Sequence, residues 1–398
     1  MQNSLIFFLS FYFLLISIIG YGKIFENLCF GKFTNNKNNL IYTGFYGLMF
    51  VTLISLITSY FIAHNFYHNL ILHSTGFIYF MLNFSKKDKD YSKYIFYISL
   101  FTVSALIISK TNDDFSYYHL PFTKYLTEQK IIFGMGNLNH GYNLLSSLFF
   151  LNSTFYLPFI NFFSFHFSLL YFLIFFNYLV LKEIYTKTNS NVIRYLYLFS
   201  FIFFNLSFNR LAEYGTDKAG QLLIVILTIK LFQIVCFNKE KNNLKNILYL
   251  LPLLAFCITL KTYFLPYILL GLVLFFINNQ IKKNFTFILF SKSFLFLLFL
   301  LLLIFSHHFV STGCLVSPVA LTCFGDYTTW GRDINDIKEL SIWLEQWAKA
   351  GAGPNFRIND PLIYIQNLNW LDNWIDRYFL GKFTDQIGIL FSSYLVII

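Results

Sequence analysis

Charge is what this sequence has least of: Asp, Glu, Lys and Arg make up 12% of its 398 residues. A soluble domain carries about twice that fraction, which excludes a water-soluble globule for most of the chain. Acids are the scarcer sign, 19 against 29 Lys and Arg, for a net charge of +10. The basic residues form no dense stripe that could hold a phosphate backbone, which excludes nucleic acid as a partner. Five cysteines are too few and too scattered for a metal framework. The first apolar run, 5–22, lacks a basic leader and a small-residue cleavage site, and reads as a retained span rather than a signal peptide. The halves of the chain show none of the internal repetition common in transporters.

What is present is apolar: 57% hydrophobic residues, with 54 phenylalanines. The joint abundance of Phe, Ile, Asn and Lys is a compositional bias, so no single Phe, Tyr or Asn argues for function. Windows of about 20 apolar residues mark membrane spans. They fall near 5–22, 40–63, 66–84, 94–109, 155–181, 194–208, 220–237, 247–260, 263–278 and 287–310, with an incomplete one from 386 onward. The expectation is an all-α polytopic membrane protein of about ten to eleven transmembrane helices. It divides into N-terminal helices over 1–93, a membrane core over 94–310 whose first outer loop is 110–151, a non-cytoplasmic loop region at 311–385, and the start of a further helix at 386–398. That last run has no basic flank, so the chain reads as a fragment.

Lysines orient the spans. The short loops 23–39, 85–93, 182–193, 238–246 and 279–286 carry most of them, Lys86, Lys87, Lys89 and Lys93 among them, and the positive-inside rule makes these loops cytoplasmic. The polar segments 110–151, 208–220 and 311–385 then share the opposite face. In the last, Asp336 to Glu339 has capping-box spacing, and Ile337, Leu340, Leu344 and Trp347 recur as on a helix. That helix rests either in the membrane interface, through Trp343 and Trp347, or on neighbouring loops.

The candidate residues lie on the outer face. Asp113 and Asp114, in TNDDFSYYHLP, directly follow a span; a paired acid suits general-base work, one carboxylate poised by the charge of the other. Its plain alternative is a solvated loop. His119 and His140 share that loop. Glu213 and Asp217, in NRLAEYGTDKAG, would share a helix face beside Arg210 and Lys218, either as a site or as a self-neutralising cluster. Lys261 places a charge between two spans without a polar loop, and marks a site unless it snorkels. His64, His68 and His73 have no accompanying carboxylate or cysteine, so they do not read as a metal site. Cys314 and Cys323, nine apart in an exported loop, suit a disulfide or two separate thiols.

Taken in order, the acidic pair with NHGYNLLSSLFFLNSTFYLP behind it, RLAEYGTDKAGQLLIVILTIKLF and LLAFCITLKTYFLPYILLGLVLFF resemble the GT-C superfamily of membrane glycosyltransferases over roughly 94–310. The resemblance implies a sugar donor linked to polyprenyl phosphate and a glycan, lipid or protein acceptor. It also implies an active face outside a bacterial inner membrane, surrounded by membrane lipid. Asp113 or Asp114 would take the acceptor proton, Lys261 and Arg210 would hold the donor phosphate, and Glu213, Asp217, His119 and His140 would complete the substrate site. No cofactor is implied, and a divalent metal is neither required nor excluded. Two other classes fit the same chain: a transporter or flippase for a lipid-linked or anionic solute, and a polysaccharide polymerase or ligase working through Arg332, Arg357 and Arg377.

Overall fold

The computed structural model of the chain describes residues 2–31, 39–106, 113–157, 159–186, 189–208, 215–236, 243–277, 279–353 and 356–397. These residues are overwhelmingly helical. The exception is a two-residue antiparallel pair, with Ala352 opposite Arg357 and Gly353 opposite Phe356. The chain divides into two units, the first Met1–Ile131, Leu145–Phe204 and Phe208–Ile304, the second Ile132–Leu144, Asn205–Ser207 and Phe305–Ile398.

The first unit opens with α1 (Gln2–Cys29), α2 (Thr43–Thr58) and α3 (Phe66–Leu82). Small residues let α1 and α3 touch backbone to backbone: a Cβ on Gly20 would lie 1.9 Å from the Gly76 carbonyl oxygen. α4 (Lys86–Thr102) begins eight residues before the expected span at 94. Asp88 accounts for the early start, accepting from the Ser85 backbone N–H at 2.7 Å and pairing with Lys23 at 3.0 Å. The short α5 (Leu120–Glu128) and α6 (Ser147–Thr154) follow, then α7 (Phe167–Ile184), which is apolar on every side and almost wholly buried, as such a helix must be. α8 (Asn191–Ser207), α9 (Asp217–Cys236) and α10 (Asn243–Leu260) come next.

The expected span 263–278 is broken: residues Thr262–Ile268 form a 3-10 helix, and only Leu269–Ile277, α11, is α-helical. Pro266 supplies the reason, since it has no backbone N–H to donate and fixes its own φ. Two short helices, α12 (Asn279–Lys283) and α13 (Phe285–Leu289), lead to α14 (Lys292–Thr312).

Among the described residues, four helical segments are long and apolar enough to cross a membrane: Ser4–Cys29, Phe163–Ile184, Asp217–Cys236 and Lys292–Thr312. The stretches Thr43–Thr58, Leu244–Leu260, Thr262–Val273 and Thr384–Ile397 are apolar but shorter. Four is well short of the ten to eleven that apolar runs alone suggest.

The region 311–385 is folded rather than a loop. It contains α15 (Ile334–Ala348), α16 (Pro361–Ile365) and α17 (Leu371–Trp374), with α18 (Thr384–Ile397) beyond it. α15 starts before the expected Asp336 because Asp333 caps it, accepting from the Asn335 N–H at 2.7 Å. Ile337 and Leu340 bury its inner face, while Trp347 is 46% exposed. Cys314 and Cys323 are joined in a disulfide, and their side chains pack with Ile337 and Ala320 in a small core.

Candidate functional site

Three separate stretches of the first unit meet at one cluster. The C-terminal end of α10 is gripped by α6: the Ser146 hydroxyl donates to the Leu260 carbonyl at 2.6 Å, and Ser147 bonds Thr259 at 3.0 Å. The next residue is Lys261, extended at the start of the 3-10 segment. α9 approaches the same place through Gly220, where a Cβ would lie 2.2 Å from the Phe264 ring, and the Cys257 thiol donates to the Gly220 carbonyl at 3.5 Å. Only glycine permits that approach. It brings Asp217, the first residue of α9, against Lys261, with Oδ1 and Nζ 2.9 Å apart. The Lys261 side chain is 21% exposed and that of Asp217 53%.

The third stretch carries Asp114. A π-helical turn, Phe115–His119, joins it to α5. The turn places Tyr118 so that its hydroxyl donates to Asp114 Oδ2 at 3.5 Å. The Asp114 carboxyl is held above the ordinary carboxylate value, first by partial burial; Asp217 and Asp113 push it the same way, while Lys261 and Tyr118 oppose. Asp114 therefore sits in the field of the Lys261–Asp217 pair. Both residues of the acid pair are exposed, and Asp113 contributes to the cluster through its charge on Asp114.

His119 is buried against Tyr118 and Phe149, with ring centroids 4.3 and 5.2 Å away. Burial, with Lys261 adding to it and Asp217 opposing, lowers its imidazole to about 3. The ring is neutral at physiological pH. Its Nε2 has no hydrogen-bond partner among the described residues, nor has Asn152 Oδ1, and both side chains line one small cavity with Thr123, His166 and Thr216.

A family model described as a domain of unknown function (DUF8201) matches residues 5–397. The chain belongs to the DUF8201 family. No curated protein and no solved structure matches it.

In this DUF8201 chain, Asp114, His119, Asp217 and Lys261 are thus assembled in one unit. Arg210 and Glu213 lie outside the described residues, and with them the expected pairing of Glu213 with Asp217 along a helix. His140 belongs to the second unit, where its ring meets Trp343 at 4.9 Å. The histidines at 64, 68 and 73 are engaged in packing. His64 bonds Ser153 at 2.6 Å, His68 bonds Asn69 at 2.9 Å, and His73 lies between Ser17 and the Thr154 carbonyl. Among the described residues no three His, Cys, Asp or Glu side chains are grouped to hold a metal.

Two contributors were not singled out in the sequence. Tyr118 was within reach, four residues after Asp114 at helical spacing. Asn152 carried no signal in a chain so rich in asparagine.

Chemically, the cluster offers a carboxylate with raised proton affinity beside a mostly buried ammonium. That ammonium is only partly neutralised, since its partner Asp217 is half solvated. Such an arrangement can accept a proton at Asp114 and hold an anionic group at Lys261.

Proposed function

We propose that this protein is a polytopic membrane glycosyltransferase acting on the non-cytoplasmic face, with a polyprenyl-phosphate-linked sugar as donor. The observation that carries the reading is the Asp114 carboxylate held in the field of the Lys261–Asp217 pair. In the reaction, the acceptor hydroxyl gives its proton to Asp114 as its oxygen bonds to the anomeric carbon. The bond from that carbon to the donor phosphate oxygen breaks, and the electron pair leaves with the polyprenyl phosphate. Lys261 offsets the negative charge that develops there.

The exposed surface of the apolar helices supports a membrane setting. On α14, Leu295, Leu298, Phe299 and Leu302 are all at least 42% exposed, a surface suited to lipid tails. α9 supports the same orientation. Asp217 meets Lys261 at its first residue, and Lys230 meets Glu183 at 2.7 Å thirteen residues on, about 20 Å along the axis. Mostly apolar residues separate the two ion pairs, as expected of a helix with an outer and an inner end. The inner end leads to lysine-bearing loops and the outer end to the cluster, consistent with chemistry on the non-cytoplasmic side of a bacterial inner membrane.

The test is transfer in proteoliposomes supplied with a panel of radiolabelled polyprenyl-phosphate hexoses and pentoses, with membrane extract as the source of acceptor. Label leaving the lipid fraction for a glycosylated product supports the reading. Donor binding with no label transferred for any sugar would replace it with a flippase or transporter.

A further inference from the structure

The second unit contains an open cleft of about 580 Å3, within the roughly 300–1,000 Å3 range of small-ligand sites. One face of α15 forms its wall. Asp336, Glu339, Trp343 and Gln346 recur at intervals of three or four residues, which places them on the same side of the helix. His140 and Arg332 also line it.

The polar groups in this cleft are under-used. Gln346 is only 5% exposed, and its Nε2 has no hydrogen-bond partner among the described residues; the same holds for His140 Nε2 and Arg332 Nε. Buried polar atoms left without partners are unfavourable and rare, so three at one cleft indicate that something else satisfies them. Beside them stands an aromatic ring, Trp343, with His140 edge-on to it at 4.9 Å.

The charges narrow the ligand. Arg332 is offset by Asp336, Nη2 to Oδ2 at 3.5 Å, which leaves the Glu339 carboxylate in excess. An anionic ligand would meet repulsion at Glu339, and a purely apolar one would leave the Gln346 and Arg332 donors unpaired. A polyol with one apolar face meets every requirement. Its C–H face lies on Trp343, its oxygens accept from Gln346 and Arg332, and its hydroxyls donate to Glu339.

We propose that this cleft is a binding site for an uncharged saccharide. It is a separate site from the Asp114 cluster, carried by the second unit alone, and stands whether or not that cluster transfers sugar.

The test uses the purified full chain in detergent, applied to an array of neutral, amino and acidic oligosaccharides, with tryptophan fluorescence titration of the sugars it retains. The expected result is retention of one or more neutral saccharides. Trp343→Ala should weaken their binding about 10- to 30-fold. Glu339→Ala, at an exposed position where packing is not at stake, should weaken it as well without altering thermal unfolding, and it decides the matter if Trp343→Ala does not fold. Asp114→Asn should leave saccharide affinity unchanged. Failure of the wild-type chain to retain any neutral saccharide, preference for acidic sugars, or unchanged affinity in Glu339→Ala would each overturn the proposal.

Discussion

Replacing either partner of the Lys261–Asp217 pair should move donor binding in opposite directions. Lys261→Met keeps the apolar stem and removes the charge; Asp217→Asn keeps the shape and removes the competitor for that charge. The ammonium is 21% exposed and meets Asp217 at 2.9 Å. Two unit charges about 4 Å apart attract by roughly 4 kcal/mol near a protein surface. After desolvation, a hydrogen bond to a charged group leaves about 1.5–3 kcal/mol. At about 1.4 kcal/mol per tenfold, losing Lys261 should weaken a lipid-phosphate donor about 10- to 100-fold. Removing Asp217 frees the ammonium for the donor phosphate and should tighten binding by about 3- to 10-fold. With its side chain 53% exposed, the loss of Asp217 should lower stability by no more than about 1 kcal/mol. The assay is binding of a fluorescent polyprenyl-phosphate sugar to protein in nanodiscs, with thermal unfolding as the check on folding. Unchanged binding in Lys261→Met, or equal weakening in both variants, would refute the reasoning and leave the pair a structural clasp.

Three other outcomes follow from the same geometry. Transfer should show an acidic limb above the ordinary carboxylate value of about 3.9, because Asp114 must be ionised to act and its carboxyl is raised; the rate is full above that pKa and falls as pH drops through it. In a pH–rate profile, Lys261→Met should shift the limb upward and Asp217→Asn downward, since the cation lowers and the carboxylate raises the Asp114 value. Gly220→Ala should destabilise the protein by about 1–3 kcal/mol, because its methyl would fall 2.2 Å from Phe264; denaturant unfolding measures the cost, and donor affinity should drop as Lys261 is displaced. Reducing the Cys314–Cys323 bond, which closes a short loop of nine residues' separation, should lower the stability of the second unit by about 2–3 kcal/mol, read by limited proteolysis with and without reductant.

The parts of the fold that the sequence revealed were those where a residue type conflicts with its surroundings. Lys261 stands out because a charge interrupts an apolar stretch, and Cys314 and Cys323 because they lie near each other outside the apolar runs. The amphipathic period of α15 was equally visible. What stayed hidden depended on contacts distant in the chain. Asp217 was read with Glu213, four residues away, and its ion pair with Lys261, 44 positions on, was not foreseen. His140 was grouped with His119 because they share a loop, yet the two belong to different units. The bounds of α4 and of the segment at 263–278 were misplaced, since hydropathy sees apolar runs and not the caps and breaks that Asp88 and Pro266 impose. Gln346 gave no warning and Trp343 was read as an interface anchor, because a binding face on α15 has the same spacing as a packing face.

The central claim is that Asp114 takes the acceptor proton. Its most direct test is sugar transfer from a lipid-linked donor by Asp114→Asn and Asp113→Asn, each shown to fold and to bind donor. A positioned general base contributes about 100- to 10,000-fold, so Asp114→Asn should lose transfer by that factor while keeping its donor affinity. Asp113→Asn should lose far less, because that carboxylate acts on the cluster only through its charge on Asp114. Full transfer activity in Asp114→Asn would contradict the account.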